Sequence, residues 1–157
     1  MIPPKILTSY VTLGVGTDRF AVEVGMVREI LDNRPIIPLP NAPSFLCGVI
    51  DVRGCTVPVI DLREKLGLSP ITLTEDTRIL VLDVTIQDRT LVIGMRVDRV
   101  LEVAEFATES LIATPEIGVR WKSEYIKAIG RLRGEFVIIF NMQHMFGTYD
   151  LACLQVP

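Results

Sequence analysis

The sequence predicts an all-β protein made of two similar small barrels packed together, with a few short helical turns. Three observations support this prediction: short runs rich in valine, isoleucine and threonine, turn residues between those runs, and an internal repeat. The chain has 157 residues, 49% of them hydrophobic, which suits one compact unit. We therefore expect a single domain over residues 1–157, with a first lobe over about 15–75, a second over about 76–147, and terminal segments that complete the barrels.

Short runs with the composition of β-strands recur along the whole chain. Each run is rich in β-branched residues and is bounded by glycine, proline, asparagine or aspartate, which favour turns. The predicted strands cover residues 10–15, 20–24, 27–31, 49–53 and 56–60 in the first half, and 79–84, 91–97, 100–103, 126–133 and 136–140 in the second. Short strands joined by frequent turns favour a barrel or a sandwich.

Helical signals are weak and occur at two places. Residues 62–66 follow Asp61, and residues 142–146 follow Asn141. Aspartate and asparagine are common caps of helix N-termini, because their side chains accept hydrogen bonds from free backbone N–H groups. The sequence therefore predicts one helical turn after the last strand of each half.

Two segments of the chain recur in the same order. Residues 18–31 return as residues 88–101, and residues 49–67 return as residues 129–147. Each copy supplies a hairpin, a third strand and a second hairpin with an Arg-Gly pair at its tip. In these tips we expect the glycine to have positive φ while the arginine stays extended. Since about five strands can close a small barrel, each copy is expected to close its own.

Charge and hydropathy exclude several classes of function. The net charge of -3 gives no basic surface for nucleic acid. Apolar runs are all shorter than the ~20 residues of a bilayer-spanning helix, so direct membrane insertion is not expected. The N-terminus lacks the pattern of a secretion signal, and three cysteines without CxxC spacing fit reduced thiols, so we expect a cytoplasmic protein.

The residue types do not assemble a catalytic or metal site. His144 is the only histidine, and with Cys47, Cys55 and Cys153 it gives no four-ligand zinc set. Motifs for phosphate binding or an activated nucleophile are missing from the sequence. The sequence thus predicts a protein that is not an enzyme, needs no cofactor and acts through its surfaces. The competing hypothesis, a catalytic or ligand-binding barrel, requires a pocket of converging polar groups.

One position suggests that the two copies bind different partners. Glu29 lies in a predicted strand of the first copy, and the repeat aligns it with Arg99 in the second. Copies that differ in surface charge can select different binding partners.

The segment Gly-Val-Ile-Asp-Val-Arg-Gly at 48–54, followed by Val-Pro-Val-Ile-Asp-Leu-Arg at 57–63, resembles the central signature of CheW-like chemotaxis coupling proteins. Residues 27–30, 94–100 and 139–141 extend this resemblance over nearly the whole chain. The resemblance implies a fold of two five-stranded SH3-like barrels packed together.

The resemblance also implies a function. CheW-like proteins are non-catalytic adaptors that couple a CheA-type histidine kinase, through its regulatory domain, to the cytoplasmic tips of methyl-accepting chemoreceptors. Such a protein is cytoplasmic, is recruited to membrane-bound receptor arrays, and assembles in rings. The positions that match partner-binding positions of the family, or are expected to line the inter-lobe groove for the receptor, are Val27, Glu29, Gly48, Arg53, Gly54, Val100 and Val103.

Three further hypotheses remain open at this point. The first is an ion pair between Glu29 and Arg53, with a net stabilisation of ~0–1 kcal/mol if it is exposed. The second is a CheW-like adaptor of a pilus-motility or other non-flagellar signalling array. The third is a fragment of a larger protein: a kinase regulatory domain, or the front half of an adaptor with a receiver.

Overall fold

The computed structural model describes residues 6–70, 72–112 and 123–154. Within these ranges the chain forms ten strands, two short α-helices and several 3-10 turns. The strands are β1 Leu7–Val15, β2 Asp18–Glu23, β3 Val27–Asp32, β4 Leu46–Val52, β5 Cys55–Asp61, β6 Arg78–Ile86, β7 Arg89–Val97, β8 Arg99–Ala107, β9 Ile126–Leu132 and β10 Glu135–Phe140. The helices are α1 Leu62–Lys65 and α2 Thr148–Leu154, and the 3-10 turns are Val24–Met26, Thr108–Ser110, Ser123–Tyr125 and Met142–His144.

The all-β prediction is confirmed. Each predicted strand is found, with ends that shift by a few residues, and the first predicted helical turn is α1. The second is a 3-10 turn, and α2 was not predicted. No helix in the described part of the chain is long and apolar enough to cross a lipid bilayer.

The strands form two curled, five-stranded sheets. The terminal sheet has the order β8-β1-β2-β10-β9, and the central sheet has the order β3-β6-β7-β5-β4. Neighbouring strands are antiparallel except for β2 with β10 and β5 with β7, which are parallel. Each sheet therefore combines two hairpins and one single strand.

The two copies of the repeat exchange their first hairpins. The β1–β2 hairpin pairs with β8 and β10 of the second copy, and the β6–β7 hairpin pairs with β3 and β5 of the first. The expectation that each copy closes its own barrel is therefore wrong, and sheet membership does not follow lobe limits of about 15–75 and 76–147. The central sheet instead takes its strands from residues 27–97, and the terminal sheet takes the strands on either side.

Short connections explain the exchange. The residues on both sides of the Val24–Met26 turn are extended, so the chain runs forward into the central sheet instead of reversing beside β2. Only Asp98 separates β7 from β8, fewer residues than the two of a tight hairpin turn. The third strand of each copy consequently joins the other sheet.

The largest part of the hydrophobic core lies between the two sheets. Leu13 and Phe20 of the terminal sheet face Leu80 and Ile93 of the central sheet in this cluster. A smaller cluster fills the inside of each curled sheet. Strand β6 shows both faces buried, because Leu80 and its alternate neighbours face the other sheet while Ile79 faces the inside of its own. Double-sided burial accounts for the continuous apolar runs of the sequence.

The Arg-Gly hairpin tips differ from expectation in one respect. Arg53 and Arg133 themselves have φ of 51°, and Gly54 and Gly134 have φ of 83° and 80°. Positive φ at both central residues is the geometry of a type I′ turn, whose twist matches that of the flanking strands. The arginine side chains therefore leave the backbone at the extreme tip of each hairpin.

The two predicted helix caps have different outcomes. The Asp61 carboxylate accepts a hydrogen bond from the Arg63 backbone N–H at 2.9 Å, which confirms the first. Asn141 makes no such bond, and its side-chain amide lies 3.1 Å from the His144 ring nitrogen. The second cap was therefore wrong, and the turn after Asn141 stays 3-10.

Candidate partner-binding surface

An ion pair joins two edges of the central sheet. Strands β3 and β4 are its edge strands, and Arg53, at the tip of the β4–β5 hairpin, reaches Glu29 on β3 with 3.2 Å between Nη1 and Oε2. The hypothesised pair is therefore present. The Arg53 side chain is 82% exposed and that of Glu29 21%, so the pair adds little stability, ~0–1 kcal/mol. The exposed Arg53 charge, held in place by the largely covered Glu29, is better suited to orienting a partner.

The terminal sheet contains a corresponding pair that the sequence did not reveal. Arg133, at the tip of the β9–β10 hairpin, contacts Glu102 on the edge strand β8 through two N–O contacts of 2.7 and 3.0 Å. The hydrogen bonds from Arg133 lower the pKa of Glu102 and raise the pKa of Arg133. The repeated Arg-Gly pair indicated that Arg133 corresponds to Arg53. The repeat did not indicate Glu102, because the offset that aligns the two Arg-Gly pairs does not align Glu102 with Glu29.

The register also changes the counterpart of Glu29. Glu29 pairs with Val81 on β6, and Val103 pairs with Val11 on β1. Because Val81 and Val11 are equivalent in the repeat, Val103 and not Arg99 occupies the position of Glu29 in the other sheet. The third strands are offset by 103 − 29 = 74 residues, four more than the offset of 81 − 11 = 70 between Val11 and Val81. At this position the central sheet therefore has the charged Glu29 and the terminal sheet has the apolar Val103.

Gly48 lies beneath the loop that connects β3 to β4. Its φ is 144°, and a Cβ at this position would overlap the carbonyl oxygen of Ile37. Ile37 is held there by two backbone hydrogen bonds with Val49, of 2.9 and 2.8 Å. Gly48 therefore seats this loop against the sheet, and its contribution to any partner surface acts through the loop.

Replacing Gly48 with alanine is expected to lower the free energy of unfolding by about 1–3 kcal/mol, because both its φ and the contact with Ile37 become strained. Chemical denaturation monitored by circular dichroism measures the change. Gly25→Ala is the matched control, since nothing lies within 4 Å of a Cβ there. Equal stability of the two variants would contradict the assigned role of Gly48.

The three predicted valines occupy two kinds of position. Val27 on β3 and Val100 on β8 are partly buried and pack against the cluster between the sheets. Val103 is 63% exposed, and its neighbour Leu101 is 38% exposed. Val27 and Val100 therefore contact the same core from different sheets, whereas Val103 belongs to an exposed apolar edge of the terminal sheet.

A buried ion pair connects the two sheets near the start of β8. The Arg63 guanidinium donates to Asp98 with 2.8 Å between Nη2 and Oδ2, and both side chains are 14% exposed. The Gly16 backbone N–H in the β1–β2 turn donates to the same oxygen at 2.7 Å. Burial opposes ionisation of Asp98, but the bonds from Arg63 and Gly16, with the Arg63 and Arg99 charges, together hold its pKa below the ordinary value.

A second buried cation lies where α1 meets α2. The Lys65 ammonium is 2.8 Å from the Asp150 carboxylate, and its side chain is only 8% exposed. It also lies 4.8, 5.5 and 5.4 Å from the ring centroids of Phe45, Tyr125 and Phe146. These groups come from segments attached to both sheets, so Lys65 holds the two sheets and α2 together.

The described residues show little that is suited to chemistry. No group of three His, Cys, Asp or Glu side chains within residues 6–70, 72–112 and 123–154 is arranged to hold a metal ion. Burial raises the pKa of the Cys47 thiol to about 11, so the thiol stays protonated and weakly nucleophilic at neutral pH. The geometry instead presents charged hairpin tips and exposed apolar side chains.

Comparison with protein families shows which family has this sequence and fold. A family model described as the CheW-like domain matches residues 9–149. The chain belongs to the CheW-like family. The resemblance seen in the sequence is thereby confirmed.

Individual CheW-like relatives cover most of the chain. The chemotaxis protein CheW of Klebsiella aerogenes is 28% identical over 138 residues, which are 88% of this chain and 81% of the relative. Protein FrzA of Myxococcus xanthus is 29% identical over 136 residues, 85% of this chain and 82% of the relative. The crystal structure of the scaffolding protein TtCheW from Thermoanaerobacter tengcongensis matches with a TM-score of 0.80 at 23% identity, covering 94% of this chain and 91% of the other, which shows the shared fold.

On the CheW-like fold, the predicted site residues divide into three groups. Glu29, Arg53 and Gly54 meet at one hairpin tip, where the Gly54 N–H also donates to Asp51 at 2.9 Å. Gly48 lies beneath the adjacent loop, and the valines lie along β3 and β8. Sequence reasoning missed the Arg133–Glu102 pair and both buried cations, because each joins residues far apart in the chain.

Proposed function

We propose that this chain is a non-catalytic cytoplasmic adaptor in a chemotaxis-type signalling array, where it couples a CheA-type histidine kinase to the tips of chemoreceptors. Membership of the CheW-like family and the names of its relatives support this proposal. The observation that carries it is the Arg53–Glu29 pair, an exposed and oriented charge at a hairpin tip. The partners would be the kinase regulatory domain, the receptor tip and further copies of the chain in rings.

The two partner classes would use different surfaces. We assign the kinase to the tip formed by Glu29, Arg53 and Gly54, because an exposed Arg53 charge held by Glu29 favours a polar partner that needs orientation. We assign the receptor to the rim of the inter-sheet core, where Val27 and Val100 are partly buried and Val103 is exposed. Exposed apolar side chains beside a core suit the apolar face of a helix.

A pull-down against the regulatory domains of every CheA-type kinase of the same genome tests the coupling function. We expect at least one domain to be retained, and Arg53→Ala to weaken its binding by about tenfold, since an oriented interfacial charge contributes on the order of 1.4 kcal/mol. Retention of none of these domains would remove the proposal. Arg89→Ala provides a control, because Arg89 is an exposed arginine at the start of β7, outside the proposed surface.

The Arg53–Glu29 pair itself is tested by charge reversal. The single variants Arg53→Glu and Glu29→Arg should each weaken kinase binding, and the double variant should recover part of it because the pair is restored with opposite polarity. Binding by the double variant that is no better than by either single variant would count against a role for the pair.

A second candidate keeps the adaptor function and changes the system. The match to FrzA of Myxococcus xanthus, at 29% identity over 82% of that protein, favours an adaptor of a pilus-motility or other non-flagellar array. The same pull-down separates the two candidates. Retention of a kinase that is encoded with motility-pilus components rather than flagellar ones would select the second.

A further inference from the structure

An open cleft lies between two loops of the central sheet, away from the Arg53 tip. One wall is the loop between β3 and β4, the other is formed by Glu64 of α1 with Pro70 and Leu73, and the floor is the ends of β5 and β7. Its volume is about 670 Å³, within the range of ~300–1,000 Å³ that is typical of ligand sites.

The β3–β4 wall is held in place before any ligand binds. Two backbone hydrogen bonds between Ile37 and Val49 fix this loop, and only a glycine at position 48 lets it approach so closely. Pro35 and Pro38 on this wall and Pro70 on the other restrict the backbone further. A preformed cleft binds with a smaller entropic cost than one that must be ordered.

The lining of the cleft combines apolar walls with separated charges. Pro38 lines the cleft from one wall and Leu73 from the other, and Leu73 is 47% exposed. Arg34 comes from one wall and Glu64 from the other, and neither forms an ion pair with another described residue. On the floor, Arg96 uses one N–H to reach Asp61 at 2.8 Å and keeps further donors for a ligand.

We propose that this cleft binds an extended peptide segment of a signalling partner, in which an apolar side chain is flanked by an acidic and a basic residue. The acidic residue pairs with Arg34 and the basic residue with Glu64, while Arg96 donates to a backbone carbonyl. An open cleft with opposite charges on opposite walls suits an extended chain better than a compact molecule, because an extended chain crosses from wall to wall. The inference rests on the adaptor function proposed above and extends it to a second contact.

Selection of a random heptapeptide library, displayed on phage, tests the proposal with the full chain. The chain is immobilised as the target, and the variant Arg34→Glu/Glu64→Arg is used for counter-selection. We expect enriched sequences to place an apolar residue between an acidic and a basic one. A synthetic peptide of the most enriched sequence should lose at least about tenfold in affinity for the variant, as expected for the loss of charge pairs.

Two further measurements separate loss of the charge pairs from misfolding of the variant and locate the peptide on the protein. A peptide with its acidic and basic residues exchanged should regain affinity for the double variant, which a merely misfolded variant cannot show. In amide NMR spectra of the full chain, the peptide should shift Cys47, Leu73 and Arg96, and Arg89→Glu should leave the affinity unchanged. Absence of enriched sequences, or shifts confined to other surfaces, would overturn the cleft proposal.

The kinase pull-down is read independently of the peptide selection. Loss of kinase binding in Arg53→Ala together with failure of the selection would remove the cleft and keep the adaptor function. If the chain binds the selected peptide but retains no kinase domain in the pull-down, the proposed adaptor function is wrong and the cleft remains a peptide site.

Discussion

Replacing Lys65 with alanine is expected to lower the free energy of unfolding by about 3–5 kcal/mol. The change leaves the Asp150 carboxylate, which is only 20% exposed, without its partner. Removing one member of a buried ion pair is strongly destabilising, because the remaining charge is neither paired nor fully hydrated. It also removes the ammonium and the aliphatic chain from contact with the rings of Phe45, Tyr125 and Phe146. Urea denaturation measures the loss, and hydrogen exchange should show faster opening of α2 first.

Lys127→Ala is the matched control for this prediction. Lys127 forms an ion pair of similar length with Glu23, 2.9 Å, but its side chain is 52% exposed. Its replacement should cost less than about 1 kcal/mol, because water screens the pair and hydrates the remaining charge. If Lys65→Ala lowers the free energy of unfolding no more than Lys127→Ala does, burial of the Lys65 ammonium does not contribute to stability.

Asp98→Ala is expected to cost about 3 kcal/mol or more. It leaves the Arg63 guanidinium, at 14% exposure, without its carboxylate, and it removes the acceptor for the Gly16 N–H. Because these groups lie at the junction of the two sheets, the unfolding transition should move to lower denaturant without becoming broader. Asp32→Ala is the control, since Asp32 is 91% exposed and its contact with Arg78 is long, 3.5 Å.

The same carboxylate predicts a pH dependence. The pKa of Asp98 is lowered in the folded protein, so the unfolded chain binds its proton more readily. The stabilisation from Asp98 is therefore fully present above the ordinary aspartate pKa of about 3.9 and is lost as the pH falls below it. The difference in stability between the natural chain and Asp98→Asn should be constant from about pH 5 to 7 and shrink below about pH 4. A difference that grows on acidification would contradict the assignment.

The sequence predicted the strands well because their signals are local. Turn residues bound each run, and β-branched residues fill it, so the strands were found without knowing which of them are neighbours. Which strand pairs with which was not predictable in the same way. The β1–β2 hairpin has the same composition whether it joins β3 of its own copy or β8 of the other. Only the short connections at Val24–Met26 and Asp98 distinguish these two pairings. The direction in which each connection leads the chain is set by the backbone conformation of the folded protein.

The site was predicted in part for a related reason. Glu29 and Arg53 both lie in segments that carry the family resemblance, so their pairing was within reach of sequence reasoning. Lys65 lies in a four-residue helix whose sequence suggests a solvated turn. Its surroundings come from Phe45, Tyr125, Phe146 and Asp150, which no local pattern connects. The helix α2 was missed because its seven residues mix apolar, small and polar types without a helical period or a clear cap.

The exchanged hairpins also determine the order in which the protein can assemble as it is synthesised. The central sheet is complete once residue 97 is available, since all of its strands precede that point. The β1–β2 hairpin is made first yet must wait for partners far along the chain: the Thr12 hydroxyl donates to the Glu102 carbonyl oxygen, 90 positions later. High contact order of this kind slows folding, and an unpaired apolar hairpin invites association with other nascent chains. Ribosome-bound chains that end before β8 should therefore display an unpaired N-terminal hairpin beside a finished barrel.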